Sequence, residues 1–150
     1  MTRTGRCLCG ELTLRAEGEP QLVGNCYCED CKRESGSGHT VWLVYPKDAV
    51  TAEGKSKTFS KNGGSGQNLT RTFCPNCGTT IFGEPEAFGA VRAIRAGILD
   101  DDFAPVDQLR TGLTTGEMTA DSLVWTAGMA AWTAAKDVPA LATLFAAPPP

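Results

Sequence analysis

The chain has 150 residues, a net charge of −3, a hydrophobic content of 41% and seven cysteines. That size fits one domain over residues 1–150 with a single modest core, at about residues 5–135. The acidic balance, with no block of Lys or Arg, excludes a nucleic-acid binder that works by phosphate neutralisation.

No run of about 18 apolar residues is present, so no membrane-spanning helix is predicted. The opening Met1-Thr2-Arg3-Thr4-Gly5-Arg6 lacks the apolar run of a signal peptide, which predicts a cytoplasmic protein whose thiols stay reduced.

In chain order, the first motif is Cys7-Leu8-Cys9-Gly10. In an extended chain residues two apart point to the same side, so both thiols can reach one ion. Residues 11–15 alternate as a half-buried strand. The second motif, Cys26-Tyr27-Cys28-Glu29-Asp30-Cys31, runs into a short helical turn after Cys28. Ser35-Gly36-Ser37-Gly38 follows, either a connector or a cradle of backbone N–H groups for a carboxylate. Residues 39–45 form a strand ending at Pro46. Residues 57–60 and 69–73 flank the turn Asn62-Gly63-Gly64-Ser65-Gly66 as a hairpin leading to the third motif, Cys74-Pro75-Asn76-Cys77-Gly78. There Pro75 presets the turn and Gly78 takes a positive φ. Strands follow at 79–82, 90–97 and 123–126, then a helix at 137–145 with Pro139 in its first turn. Residues 146–150 fray. The fold class is mainly β with little helix.

Seven thiols leave one over from any disulfide framework, and the spacing favours metal. Zinc holds thiolates at about 2.3 Å, which puts sulfurs on one ion roughly 3.8 Å apart. Two pairs, each ending in Gly, make a complete tetrahedral site of Cys7, Cys9, Cys74 and Cys77. Closing so long a loop couples metal binding to folding. Cys26, Cys28 and Cys31 remain. Three protein ligands with a vacant fourth position are the pattern of a catalytic zinc. Two other readings stay open: closure by His39, the single histidine, and a metal-free redox thiol cluster. An anionic site that accepts a thiolate needs cations, for which Lys32, Arg33 and Arg71 are candidates.

These motifs resemble the family of glutathione-dependent formaldehyde-activating enzymes, which also includes centromere protein V. The resemblance is carried by Cys7-x-Cys9-Gly10, by Cys26-x-Cys28-x-x-Cys31 with Lys32-Arg33 and Ser35-Gly36, and by Arg71-x-Phe73-Cys74-x-x-Cys77-Gly78. Gly97-x-Leu99-Asp100-Asp101 extends it downstream. It implies a β-tent of folded antiparallel sheets stapled by two zinc ions. Cys7, Cys9, Cys74 and Cys77 would hold the structural ion, and Cys26, Cys28 and Cys31 the catalytic one. It also implies a carbon–sulfur lyase resembling S-(hydroxymethyl)glutathione synthase, acting on a thiol such as glutathione and a small aldehyde. Residues 106–122 depart from the family pattern and read as an insertion before Val124-Trp125 and Trp132. Because a fold does not fix a substrate, the alternative is a non-enzymatic zinc module for thiol carriage or protein interaction. A fourth protein ligand on the second ion would favour that alternative.

Overall fold

Period-2 burial organises the first sheet. In β2 (Thr13–Glu17) Leu14 and Ala16 are buried while Thr13, Arg15 and Glu17 face solvent. β2 pairs antiparallel with β1 (Thr2–Arg6) on one side and with β5 (Val50–Glu53) on the other. The second sheet is larger. Its order is β3-β4-β9-β8-β7-β6, and every pairing is antiparallel. Its strands are β3 (Leu22–Cys26), β4 (Thr40–Pro46), β6 (Lys57–Asn62), β7 (Asn68–Phe73), β8 (Thr80–Pro85) and β9 (Val91–Arg95). The one helix of this region, α1 (Glu29–Ser35), connects β3 to β4.

The structure, a computed structural model, describes residues 1–100, 113, 116, 118–124 and 128–145. They divide into two compact units, Met1–Phe103 and Ala104–Pro150. In the second unit β10 (Leu123–Val124) pairs antiparallel with β11 (Thr133–Ala134), and a four-residue helix, α2 (Ala142–Phe145), closes the described chain. The helix expected at 137–145 is broken here. Two 3-10 turns, Ala135–Asp137 and Pro139–Leu141, precede α2, separated by Val138, which is extended at φ −87° and ψ 114°, because a residue followed by proline is sterically disfavoured in the helical region. Most of the insertion expected at 106–122 lies outside the described residues. Among the described residues no helix is long and apolar enough to cross a membrane.

The mainly β, antiparallel architecture agrees with the sequence. The expected strands at 39–45 and 79–82, and the hairpin around 62–66, are present to within a few residues. β1 and β3 had no alternating signal, since Thr2–Arg6 is polar throughout and β3 is mostly exposed. Neighbouring strands impose these two. β6 is an edge strand exposed along its whole length, and Lys57 and Lys61 on it discourage edge-to-edge pairing.

The core gathers Leu12, Leu14, Leu43, Tyr45, Val50, Ile81, Phe82 and Ile94, and it includes Cys7 and Cys74. Two thiols at the heart of the core tie one cysteine cluster to the packing. The downstream motif docks back on β1. Leu99 bridges to Gly5, Asp100 accepts from the Thr4 hydroxyl at 3.0 Å and its carboxylate meets Arg6 Nε at 3.2 Å.

Candidate metal centres

The seven thiols gather into two clusters, and within each cluster the sulfurs lie within 4.8 Å of one another. In the first, Cys7 and Cys9 come from the β1–β2 connection, and Cys74 and Cys77 from the β7–β8 connection. Between Cys7 and Cys9 the Sγ atoms are 3.5 Å apart, and between Cys9 and Cys74 they are 3.7 Å apart. Both match the roughly 3.8 Å edge of a zinc–thiolate tetrahedron.

Local geometry makes this possible. The register of β7 shifts between Thr72 and Phe73, a bulge immediately before Cys74. Gly78 then takes φ 77°, as the sequence predicts, and its N–H donates to the Cys74 carbonyl at 2.9 Å. One expectation fails here: residues 7–10 are not extended. They form a turn in which the Gly10 N–H donates to the Cys7 carbonyl at 3.0 Å, and Gly10 has φ 82°. The two halves of the site are thus alike, each a tight turn closed by a left-handed glycine.

Hydrogen bonds divide the protons unevenly in this cluster. The Thr79 hydroxyl and backbone N–H, with help from Cys9, pull the Cys77 thiol down to about 5. At Cys9 the Glu11 N–H acts downward, yet desolvation and the Cys7 and Cys77 sulfurs prevail and push it to about 11. Burial raises Cys7, but the Leu12 N–H at 3.3 Å and the neighbouring thiols outweigh it and leave it lowered. Sulfurs at tetrahedral spacing, with Cys7 and Cys77 held toward the thiolate, fit a metal dication.

The second cluster sits where β3 meets α1. Cys26 ends β3. Cys28 is the N-cap of α1, its sulfur accepting the Cys31 N–H at 3.4 Å, and Cys31 is buried in the helix. Burial and the two neighbouring thiols raise Cys26 to about 11. Burial also acts upward on Cys28, but the Cys31 N–H and the Cys26 and Cys31 thiols bring it below the ordinary value. Three sulfurs converge, and His39 is not among them. Its ring stacks on Tyr27 with centroids 5.2 Å apart. The Ser35–Gly38 cradle does not form either. The Gly36 N–H closes α1 on the Lys32 carbonyl, and the Ser37 N–H bonds the Ser35 hydroxyl.

Beside this cluster lies a cavity of about 430 Å³, bounded by Cys26, Cys28, Cys31, Trp42, Arg71 and the 63–65 turn among others. Arg71 is the one expected cation on its wall. Arg33 instead pairs with Glu29 in solvent at 3.1 Å. The sequence reading missed Glu34, one helical turn after Cys31. Its Oε2 meets Arg71 Nε of β7 at 2.6 Å and Arg95 Nη2 of β9 at 2.5 Å. Arg95 in turn lies over the Trp42 ring of β4 at 3.8 Å. Burial acts upward on Glu34, yet Arg95 and then Arg71 hold its carboxyl below the usual range. This network clamps the cysteine-bearing helix to three strands. The available signal was three successive helix positions on one side, Cys28, Cys31 and Glu34, which follow the three- to four-residue helical repeat.

A small antiparallel β unit with two converging cysteine clusters defines a class of cysteine-cluster proteins able to hold metal. Comparison with known sequences makes this specific. The profile of the glutathione-dependent formaldehyde-activating enzyme family matches residues 2–112, and the chain belongs to that family. A second profile, GYF domain 2, matches residues 104–141, most of the second compact unit. An uncharacterised lyase of Schizosaccharomyces pombe is 33% identical over 82 residues, covering 52% of this chain and 54% of the relative. The chain thus matches about half the length of that curated relative. The crystal structure of a Rhodobacter sphaeroides protein aligns with TM-score 0.54 at 16% identity, covering 70% of this chain and 94% of the other, a likeness of fold.

Proposed function

We propose that the protein is a zinc-dependent carbon–sulfur lyase that joins a small thiol to an aldehyde at Cys26, Cys28 and Cys31. Cys7, Cys9, Cys74 and Cys77 hold a second, structural zinc. One observation carries the reading: three converging sulfurs, with no fourth His, Cys, Asp or Glu in the group among the described residues, border a 430 Å³ cavity. Membership of the family and the lyase relative support the reaction type.

In the reaction a sulfur–carbon bond forms, the carbonyl π bond breaks, and the carbonyl oxygen ends with the proton the thiol gave up. The reverse direction regenerates thiol and aldehyde. Zinc held by three cysteines supplies a lowered thiol pKa and Lewis acidity. The chain's own residues bind and orient. The walls hold the organic body of the reactants, and Arg71 places positive charge beside an otherwise anionic thiolate cluster. Neither nearby carboxylate suits a general base. The Lys61 ammonium, 2.7 Å away, holds Asp30 down, and the two arginines hold Glu34.

The test is exchange NMR between formaldehyde and its glutathione adduct, with zinc-loaded full-length protein. Thiols add to aldehydes unaided, so exchange must exceed the protein-free rate and vanish in Cys28→Ser. An unchanged rate removes this substrate pair.

A further inference from the structure

The cavity beside the three cysteines is unlike a site for a zwitterionic tripeptide. Leu22 and Val44 of β3 and β4, Trp42, Leu69, Pro85 and Phe88 give it apolar walls. Gly83 sits among them. A Cβ there would come within 3.1 Å of Leu69 Cδ1 and 3.7 Å of Trp42 Cη2, so the bare backbone leaves those two faces open to the cavity. Leu22 and Phe88 are 56% and 64% exposed. Apolar side chains left uncovered around a concave site mark a place where an apolar group is received.

The charged groups on the same walls are already ion-paired, with Arg71 Nη2 alone left buried and without a hydrogen bond among the described residues. Arg71, whose side chain is 6% exposed, is bound to Glu34, and Asp30 is bound to Lys61. Glutathione brings two carboxylates and an ammonium, and each would lose water here against apolar surface. A one-carbon aldehyde would leave most of the 430 Å³ unfilled.

We propose that this cavity selects reactants with an uncharged apolar body, an aromatic or longer aliphatic thiol or aldehyde, in preference to glutathione. The proposal rests on the reading that the three cysteines handle thiols and aldehydes, and it names the class of thiol or aldehyde.

The test is calorimetric titration of zinc-loaded full-length protein with benzyl mercaptan and with glutathione. Benzyl mercaptan binds at least about tenfold more tightly, the order expected when most of one phenyl ring leaves water. Leu22→Lys places an ammonium at the rim and brings the preference down to about threefold or less. Phe88→Ala weakens benzyl mercaptan several-fold and leaves glutathione unchanged. Both side chains are exposed, and circular dichroism checks that the variants keep the native fold. Glutathione binding equally or more tightly overturns the proposal, as does the absence of binding by either thiol. So does a preference that neither variant alters. Exchange of adducts at the background rate for every thiol–aldehyde pair, with the binding order intact, overturns the lyase reading alone. Accelerated exchange with a glutathione preference overturns the selectivity alone.

Discussion

Glu34→Gln isolates the clamp on the cysteine-bearing helix. The substitution keeps the shape but removes the negative charge between Arg71 and Arg95, whose side chains are 6% and 10% exposed. Breaking a buried ion pair by deleting one partner typically costs about 3–5 kcal/mol, because the remaining charges stay desolvated. For a chain of this size that lowers the melting temperature by about 10 °C. The pH dependence gives an independent check. The folded-state pKa of Glu34 lies below its unfolded value, near 4.5. Its contribution is therefore complete above that value and is lost as pH falls through the folded one. The stability gap between wild type and Glu34→Gln, from urea unfolding of the zinc-loaded proteins, should be level from pH 8 to about 6. It should narrow only at more acidic pH. Loss of zinc in acid affects both proteins, so the difference between them reports on Glu34. A gap under about 1 kcal/mol at pH 7, or one that persists undiminished in strong acid, would refute the clamp.

The two cysteine clusters should respond differently to mutation. Cys77→Ser abolishes cooperative folding, since Cys7 and Cys74 of the same site lie in the core, whereas Cys28→Ser keeps the far-ultraviolet dichroism and loses one metal equivalent. Equal stability losses would contradict separate structural and catalytic roles. Metal analysis of the purified wild type should return about two zinc ions per chain, and prolonged chelation at pH 7 should unfold the first unit. Gly54→Ala should destabilise by about 3 kcal/mol or more, measured by urea unfolding. Gly54 has φ 113°, and an added Cβ would lie 2.1 Å from the Glu11 carbonyl oxygen. Lys61→Ala removes an ion pair whose lysine side chain is 47% exposed and should cost under about 1 kcal/mol in the same assay.

Much of the site was legible because cysteine chemistry is local. The x and x-x gaps set which sulfurs can share an ion, and both clusters assemble as the spacing requires. The Pro75–Gly78 turn and the hairpin around 62–66 were readable for the same reason, since Gly and Pro fix backbone angles within a few residues. The Cys7–Cys9 segment was misread as extended because a single intervening residue also allows a turn, and the packing of Cys7 in the core selects it. The division at Phe103/Ala104 falls between the run Asp100-Asp101-Asp102 and Pro105, too short a signal to separate two units by composition.

Tertiary structure alone decided what surrounds the thiols. Glu34 is an ordinary helix residue in sequence, and only the order β4-β9-β8-β7 brings Arg95 and Arg71 to it from strands 24 residues apart in the chain. The cavity walls likewise come from five strands, the start of α1 and two connections. By itself the sequence determined which sulfurs come together, because sharing one ion is a matter of spacing over a few residues. It did not determine what the cavity beside Cys26, Cys28 and Cys31 receives, because the walls are assembled by long-range sheet pairing.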